Sequence, residues 1–587
     1  MRSVERFRVL AIDKGGLVSL LVLVVYLVLA PAHIVDGDNA EFSTLGASGG
    51  TAHPTGYPLY LIWLRLTNWL PGSTPAHTAA LATAILGAAT ILVLHAACRA
   101  WGARPFAATL TVTLFAAAPI IMRIATTAEV FALNCLVVAT VLWLSAQGGP
   151  VRGLRRAVAL GLVAGLGLSN HMTCVLVAPV GILGIVRAVS ETERSKALPI
   201  VLAIVGLALG LVPYVYLLIT PETPLSWGKV ETLHDLFAMI TRQDYGGPGS
   251  FLPTETPVPA WKQLLALFTS LGRTWLWVPL AAGLVTLGWR IARPRDAESR
   301  WSWIALAVSL LLAGPLLVAK FNIEPSGLGL YVSQRFYVLP ALLLAIPVAA
   351  SLRLVEPMIE RSRFGERVLC AGIATLGLAT TVAVTLPYLA RMHTPAVERY
   401  ASNMLSVLPQ NAVLFIGQDD EYFGASYVQW ALGKRQDITV VAPQLTQMAW
   451  YAERVAARGI VAPPGDGHPM VRLVERLLRE GRPVFVEKAR AEVITAFSTY
   501  PYGTVMKVLP RGGTAPSIEE IVAENKAIYE RFELGYPRPG PDDEFATAIH
   551  LRYAGTWKTL ARKLESAGLR SEAAWAWEAA RAVGPQP

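Results

Sequence analysis

The stretches Asp36-Gly37-Asp38-Asn39-Ala40-Glu41-Phe42 and His53-Pro54-Thr55-Gly56-Tyr57-Pro58-Leu59-Tyr60 follow the first strongly apolar segment of the chain. Together they hold three carboxylates, a histidine and two prolines in a region that is otherwise small and apolar. No other part of the apolar half of the chain is as dense in ionisable groups. Residues 36–60 are therefore the first candidate for chemistry, and the neighbouring segments are expected to position them.

The composition indicates a multi-spanning membrane protein. Of 587 residues, 53% are hydrophobic and only 16% are charged, whereas a soluble protein carries about a quarter charged residues. The apolar residues are concentrated in runs, as in transmembrane helices. The net charge of +10 does not indicate a nucleic-acid partner, because much of the arginine lies in short loops between these runs, where it sets topology. The four cysteines have no metal-ligand spacing and are expected to be small core residues.

Eleven runs are long enough to predict transmembrane helices. They lie near 15–33, 76–98, 105–121, 127–146, 157–170, 172–187, 198–219, 274–290, 302–320, 335–352 and 368–390. Arg2, Arg6 and Arg8 precede the first run, as in a signal peptide. We favour an uncleaved signal anchor, with cleavage as the alternative.

The distribution of positive charge predicts the orientation. With the N-terminus in the cytoplasm, the arginine-rich short segments all fall on the inner side. The inner residues are Arg99, Arg104, Arg152, Arg155, Arg156, Arg187, Arg194, Lys196, Arg290, Arg293, Arg295, Arg300, Arg353, Arg361, Arg363 and Arg367. An odd number of spans then places residues 391–587 on the outer face of the plasma (inner) membrane, together with the 36–60 loop and the 220–273 loop.

The C-terminal third is expected to form an α/β domain followed by helices. Residues 412–416, 438–442 and 483–487 read as buried strands, and 504–508 as a further strand. Helical patterns around 422–433, 446–458 and 470–480 separate them. Residues 557–583 predict a helix hairpin similar to one tetratricopeptide unit. The predicted domains are 1–390, 391–515 and 516–587.

The 36–60 loop offers acids, a histidine and a rigid turn. Asp38 and Glu41 are three residues apart and share a face if the loop is helical. A solvated loop is the alternative. Asp36 and Asp38 also form an Asp-x-Asp pattern that could hold a divalent cation, although hard cations need further oxygen ligands. The prolines around Gly56 predict a rigid turn that returns the chain to the membrane.

Several pieces in order resemble a known family. They are Asp38-x-x-Glu41-Phe42, His53-Pro54-x-Gly56-Tyr57-Pro58-Leu59-Tyr60, 128–134, 167–171, 213–214, 225–228, 241–246 and 335–340. Their order resembles a family of polytopic bacterial membrane glycosyltransferases, related to an animal transmembrane O-mannosyltransferase and more distantly to protein O-mannosyltransferases. The resemblance covers about residues 15–345 and, more loosely, 408–415. The chain departs from the family pattern at Asn39-Ala40 and at Thr55, and neither departure removes an ionisable group.

The resemblance implies a GT-C-type fold and a lipid-phosphate-linked sugar donor, with mannose as one candidate sugar. An acceptor hydroxyl would attack the anomeric carbon with inversion, and a general base would take its proton. Asp38 is the predicted base, supported by Glu41 and His53. Two classes of acceptor remain open, a protein and a cell-envelope glycan. Membrane lipid is expected to surround the protein.

Cations and aromatic residues complete the predicted site. Arg335, Arg242 and Lys320 are candidates for binding the donor phosphate, with snorkelling to lipid head groups as the alternative. Further candidates for substrate contact are Tyr57, Glu129, His171, Trp227 and Tyr245. A helix-packing hydrogen bond is the alternative for Glu129 and His171, and a buried interfacial ring is the alternative for Trp227.

The C-terminal domain lacks a Gly-x-Gly-x-x-Gly motif, so no dinucleotide is expected. Residues 418–421 form an acidic turn where α/β folds place ligands. An exposed turn is the first interpretation of these residues, and acceptor docking is the second. Two other functions remain open for the whole protein, a transporter or flippase of a lipid-linked glycan and a non-catalytic envelope-assembly scaffold.

Overall fold

The computed structural model describes residues 14–193, 195–247, 257–352, 366–487, 491–541 and 544–587. The basic start of the chain lies outside these ranges, so the structure does not test the predicted signal anchor. Four of the arginines that were predicted on the inner side also lie outside them: Arg194, Arg353, Arg361 and Arg363.

The apolar two thirds of the described chain is helical. The helices are α1 (Lys14–Leu29), α2 (Asn39–Ser48), α3 (Pro58–Leu66), α4 (Pro75–Ala100), α5 (Pro105–Ala117), α6 (Pro119–Thr126), α7 (Val130–Ser145), α8 (Gly153–Leu168), α9 (Ala178–Ser190), α10 (Ala197–Gly210), α11 (Val215–Ile219), α12 (Leu233–Ile240), α13 (Ala260–Trp275), α14 (Trp277–Ala292), α15 (Ala297–Leu311), α16 (Gly327–Ser351) and α17 (Glu366–Met392). Short 3-10 segments at Met172–Val177 and Val212–Tyr214 and a π segment at Leu312–Leu316 extend three of them.

This protein is a multi-pass membrane protein. Among the described residues, six helical stretches are long and apolar enough to cross a bilayer, or eight if two sharply bent helix pairs each count as one span. The six are Pro75–Ala100, Met172–Ser190, Ala197–Ile219, Ala297–Leu316, Gly327–Ser351 and Ala371–Val407. Two shorter apolar helices, α1 and α7, also occupy predicted spans. The number of eleven crossings stays a prediction.

Two pairs of apolar helices are sharply bent. Helices α5 and α6 meet at 68°, near the end of the predicted span 105–121, where Pro119 lacks the N–H that would continue the helix. Helices α13 and α14 meet at 106°, at Leu276, whose φ is 59°. The predicted span 274–290 corresponds to α14, whereas α13 is a helix in the segment that was predicted as part of the 220–273 loop.

The 36–60 loop is itself partly helical. Asp38 occupies the N-cap position of α2, which brings Glu41 into its first turn. Helix α2 ends at Gly49, whose φ of 80° suits glycine. Pro58 begins α3 after the His53–Tyr57 turn. The predicted shared face of Asp38 and Glu41 therefore rests on a formed helix, and the turn leads into the next helix.

The C-terminal region contains a five-stranded sheet of order β2-β1-β3-β5-β4. The strands are β1 (Val413–Phe415), β2 (Thr439–Val441), β3 (Val484–Val486), β4 (Thr499–Tyr502) and β5 (Val505–Val508). β1 pairs in parallel with β2 and β3, whereas β5 is antiparallel to β3 and β4. The four predicted strands are confirmed, and β4 is an addition that the sequence pattern did not indicate.

Helices precede, separate and follow these strands. They are α18 (Ala396–Val407), α19 (Asp419–Ser426), α20 (Ala449–Ala456), α21 (Pro469–Arg479), α22 (Ala491–Ala496), α23 (Ile518–Glu530), α24 (Glu544–Ser566) and α25 (Arg570–Val583). The predicted hairpin is confirmed as α24 and α25, although α24 begins earlier than residue 557. Phe545 of α24 packs edge-on against Tyr331 of α16, with ring centroids 5.1 Å apart. This contact joins the C-terminal helices to the apolar bundle.

Candidate active site

Asp38 is held by an arginine from a distant helix. Nη1 of Arg335, on α16, donates a hydrogen bond to Oδ2 of Asp38 at 2.7 Å and lies 3.6 Å from Oε1 of Glu129. The Asp38 side chain keeps 27% of its surface exposed, whereas those of Arg335 and Glu129 keep only 12% and 5%. The Asp38 carboxylate is therefore fixed in direction but open to a substrate.

The electrostatic surroundings keep Asp38 ionised. Burial would raise the pKa of Asp38, but the positive charge of Arg335, helped by His53 and by the hydrogen bond from Arg335, lowers it below its usual value. Asp38 is consequently a carboxylate at neutral pH, the form that a general base requires.

Glu41, His53 and Tyr57 form a second hydrogen-bonded chain. The fully buried Glu41 accepts a bond from the backbone N–H of His53 at 2.9 Å, and its Oε2 lies 2.5 Å from Nδ1 of the same residue. Nε2 of His53 lies 3.1 Å from the Tyr57 hydroxyl. Glu41 thus fixes both the backbone and the ring of His53, and His53 orients Tyr57.

The His53 ring is positively charged at neutral pH. Burial would lower the pKa of His53, but the negative charges of Glu41 and Asp38 outweigh it and raise the pKa to about 9. Both ring nitrogens then carry protons, so Nδ1–H donates to Glu41 and Nε2–H donates to the Tyr57 oxygen. The Tyr57 hydroxyl can then donate its own hydrogen bond to a different acceptor. His53 supplies positive charge and orientation rather than proton abstraction.

Aromatic rings line one side of this cluster. Tyr57 stacks on His171 with ring centroids 5.9 Å apart and an angle of 25°. His171 also contacts Phe131 at 4.8 Å and Phe336 at 6.3 Å. Tyr57 sits at φ 45° immediately after Gly56, at φ 84°, and this turn directs its ring toward His171. The structure therefore brings the predicted residues Tyr57 and His171 together.

A second aromatic wall comes from the 220–247 loop. The Thr51 carbonyl accepts a hydrogen bond from the Trp227 backbone N–H at 2.8 Å, which places the Trp227 ring 6.4 Å from that of His53. Trp227 stacks on Tyr245 at 5.8 Å and donates its indole N–H to Asp244 at 2.9 Å. Asp244 was not predicted as a site residue, although it lies in the 241–246 piece that carries the family resemblance.

Arg242 is an available cation beside this wall. Its guanidinium carbon lies 5.2 Å from the centre of the Tyr245 ring. Within the described ranges, Arg242 forms no ion pair, and its buried Nε has no hydrogen-bond partner. Arg335, by contrast, is already engaged by two carboxylates, and only its Nε is buried without a partner.

Two further predicted residues form no side-chain hydrogen bond with this cluster among the described residues. Lys320 follows the π segment as an exposed residue and pairs with no carboxylate of the described chain. Asp36 is buried, and burial followed by the charge of Asp420 raises its pKa to about 7. In the part of the chain that the structure describes, no group of three or more His, Cys, Asp or Glu side chains could hold a metal ion.

The acidic turn 418–421 reaches the site from the C-terminal region. Burial, together with the negative charge of Asp38, raises the pKa of Asp419 at the start of α19. Asp420 binds Arg552 of α24 at 2.7 Å, and Glu421 lies 3.2 Å from the same arginine. Of the three acids, Asp419 alone forms no ion pair within the described chain.

The chain is similar in sequence to proteins that carry a name. Residues 38–195 match the model of the Protein O-mannosyl-transferase TMEM260 N-terminal domain. The mouse protein O-mannosyl-transferase TMEM260 is 25% identical over 577 residues, covering 92% of this chain and 80% of that protein. The chain is homologous to TMEM260. The Dictyostelium discoideum protein of the same name is 21% identical, covering 79% of this chain and 62% of that protein.

The fold matches that of a solved GT-C enzyme. The crystal structure of ArnT from Cupriavidus metallidurans bound to undecaprenyl phosphate aligns with a TM-score of 0.54 at 16% identity, covering 85% of this chain and 99% of that chain. This likeness confirms the predicted GT-C-like helical fold, and the TMEM260 homology confirms the predicted resemblance.

Proposed function

We propose that this protein is an inverting membrane glycosyltransferase, which moves a sugar from a polyprenyl-phosphate carrier to a hydroxyl on the outer face of the membrane. The carrying observation is the Asp38–Arg335–Glu129 cluster beside the Glu41–His53–Tyr57 chain, on an ArnT-like fold. The names of the TMEM260 relatives support mannose as the sugar and a protein as the acceptor.

Asp38 acts as the general base. It accepts the proton of the acceptor hydroxyl while the hydroxyl oxygen forms a bond to the anomeric carbon. The bond from that carbon to the phosphate oxygen breaks, and polyprenyl phosphate leaves with the electron pair. Arg335 holds the Asp38 carboxylate ionised and in place, which removes the cost of orienting it during the reaction.

The leaving phosphate gains negative charge and requires a cation. Arg242 is the better placed of the predicted cations, because no described carboxylate neutralises it, and a planar guanidinium can bind two phosphate oxygens. The Nε of Arg335 offers a second donor, and the imidazolium of His53 adds positive charge. Lys320 stays a further candidate for binding the phosphate. The scheme does not require a divalent cation.

Aromatic rings hold the sugar. Three aromatic rings near the cluster have apolar faces: those of Tyr57, Trp227 and Tyr245. Glu129 lies beside Arg335, and His171 stacks on Tyr57. Rings of this kind pack on the C–H faces of sugars, while hydroxyls and carboxylates bind the sugar hydroxyls.

The test is donor turnover by purified protein. Wild type and Asp38→Asn are incubated in lipid nanodiscs with polyprenyl-phosphate mannose and a hydroxyl acceptor, and released polyprenyl phosphate is measured. We expect the substitution to lower the rate by at least about a hundredfold, the usual contribution of a general base. Asp466→Asn, at an exposed residue of the C-terminal region, is the matched control and should keep full activity.

Two results would contradict the proposal. An Asp38→Asn protein as active as wild type would remove Asp38 from the role of base. A folded wild-type protein that moves the intact donor across the bilayer without releasing polyprenyl phosphate would instead indicate a flippase.

A further inference from the structure

A buried arginine lies behind the candidate active site. Arg123, on the short helix α6 that follows the bend at Pro119, is only 3% exposed. Its side chain pairs with no carboxylate among the described residues and bonds to uncharged groups instead. Burying a guanidinium without a carboxylate partner is costly unless other groups satisfy it. The groups that accept its hydrogen bonds therefore indicate its role.

The side-chain hydrogen bonds of Arg123 go to α16 and α17. Its Nη1 donates to the side-chain oxygen of Gln334 at 3.4 Å and to the Tyr388 hydroxyl at 2.9 Å. Its Nη2 donates to the Tyr331 carbonyl at 3.3 Å. The Tyr388 hydroxyl also donates to Gln334 at 3.2 Å, which closes the network. Arg123 thus holds one turn of α16 against α6 and α17.

The same turn of α16 is joined to the 36–60 loop. The guanidinium carbon of Arg123 lies 4.1 Å from the centre of the Tyr331 ring, a cation–π contact that fixes the ring. The Tyr331 hydroxyl donates to the Asp36 backbone carbonyl at 3.2 Å. One helical turn later, Arg335 binds the Asp38 carboxylate at 2.7 Å. Two links therefore join α16 to this loop, and Arg123 fixes the residue that forms one of them.

The Tyr331 link limits where the Asp38 carboxylate can lie. Asp36 and Asp38 are separated by Gly37, whose φ is 80°, and glycine allows the backbone more conformations than other residues do. A contact at Asp36 removes much of this freedom. A general base must lie within hydrogen-bond reach of the proton that it takes, and a misplacement of about 1 Å can lower the rate about a hundredfold.

We propose that Arg123 is a positioning residue for the sugar transfer. By holding Tyr331, it fixes the Asp36 carbonyl and so places the Asp38 carboxylate against Arg335 and the acceptor hydroxyl. This role rests on the proposed transferase activity. Lysine would not replace Arg123, because an ammonium lacks the planar fork that reaches all three oxygen acceptors.

The test is a double-mutant cycle with Asp38. Wild type, Arg123→Met, Asp38→Asn and the double variant are compared for release of polyprenyl phosphate in nanodiscs, with each rate divided by the amount of folded protein. Arg123→Met should lower kcat about tenfold and change the KM for the donor less than about twofold, because the cation Arg242 lies on a different loop. In the Asp38→Asn background, the same substitution should change kcat less than about twofold, since no base is left to position.

Tyr331→Phe tests the same link without removing a buried charge. It keeps the ring and loses only the bond to the Asp36 carbonyl, so it should lower kcat about tenfold with little change in melting temperature. Ser333→Ala, which loses a hydroxyl bonded to Gly329 within α16, is the matched control and should keep the wild-type kcat. Arg156→Met removes a buried arginine of α8 and should also keep the kcat per folded molecule.

Two results would overturn this role of Arg123 alone. A loss of kcat that is equally large with and without Asp38 would do so, because a general effect on packing does not depend on the base. Wild-type kcat in both Arg123→Met and Tyr331→Phe would do so as well. Full activity of Asp38→Asn would instead contradict the proposed base, and absence of polyprenyl phosphate release by wild type would refute the transferase. Either of these results would also remove the positioning role.

Discussion

At the residue scale, the site consists of alternating opposite charges. Glu41, His53, Asp38, Arg335 and Glu129 place two cationic groups among three carboxylates, most of them shielded from water. Removing one member leaves a buried charge uncompensated, which costs more than the pair contributes. The stability of the cluster is therefore expected to depend on pH, in part through the protonation of His53.

The stability of the protein should fall as the pH rises through the His53 transition. The pKa of His53 is raised from 6.5 to about 9 in the folded state. The charged ring therefore stabilises the fold fully below pH 6.5, and this contribution is lost as the pH rises through 9. The loss is at most about 3 kcal/mol. Thermal unfolding of wild type and His53→Gln between pH 6 and pH 10 measures it. The difference in melting temperature should shrink toward high pH, and a constant difference would contradict the assignment.

At the element scale, two glycine pairs determine how α8 packs on α10. Gly161 and Gly165 of α8 face Gly206 and Gly210 of α10. A Cβ on Gly206 would lie 2.5 Å from the Val158 carbonyl oxygen. Small residues spaced four apart are typical of close helix contacts in membranes, where packing replaces the hydrophobic effect. The pattern is visible in the sequence, but only the structure shows which helix it contacts.

Gly206→Ala should destabilise this helix pair. The atom that opposes the new methyl group is backbone and cannot move aside, so overpacking should cost about 1–3 kcal/mol. Thermal unfolding in detergent provides the measurement. Gly288→Ala in α14, where nothing lies within 4 Å of the added Cβ, is the matched control and should be neutral or slightly stabilising. Equal melting temperatures for the two variants would show that α8 and α10 are not in close contact.

At the scale of the whole molecule, the C-terminal region packs against the first loop and the helices around it. Helix α19 contacts α2 of the first loop. Elsewhere, Tyr427 accepts a hydrogen bond from Ala76 at 3.3 Å, Arg454 pairs with Glu222, and Phe545 packs on Tyr331. Because these contacts hold the C-terminal region beside residues 36–60, both must lie on the same side of the membrane. The arginine distribution predicts the outer side.

Labelling of introduced cysteines should reveal this orientation. Asp466→Cys, at an exposed position of the C-terminal region, should react with a membrane-impermeant maleimide in intact cells. Arg155→Cys, exposed at the start of α8, should react only after the membrane is permeabilised. The described native cysteines Cys98 and Cys135 are buried, and Cys174 is partly buried, so their background should be low. The reverse pattern would place the active site on the cytoplasmic side.

Local patterns account for what could be predicted from the sequence. Asp38 and Glu41 fall three residues apart in a helical loop, and His53 lies in a proline-rich turn. Their proximity follows from spacing along the chain. The strands β1, β2 and β3 could also be predicted, because their β-branched and apolar runs are typical of buried strands. Composition and periodicity did not predict the bends at Pro119 and Leu276 or the extra strand β4. Residues of the same composition can form a straight helix or a loop instead.

The sequence by itself determined the membrane class and the α/β character of the C-terminal region, since each follows from composition or periodicity. Only the tertiary structure decided that Arg335 pairs with Asp38 across 297 positions, that the buried Nε of Arg242 has no hydrogen-bond partner among the described residues, and that Trp450 packs on Trp227. These contacts join residues that packing brings together from distant parts of the chain, and a single sequence carries no local signal of such partners.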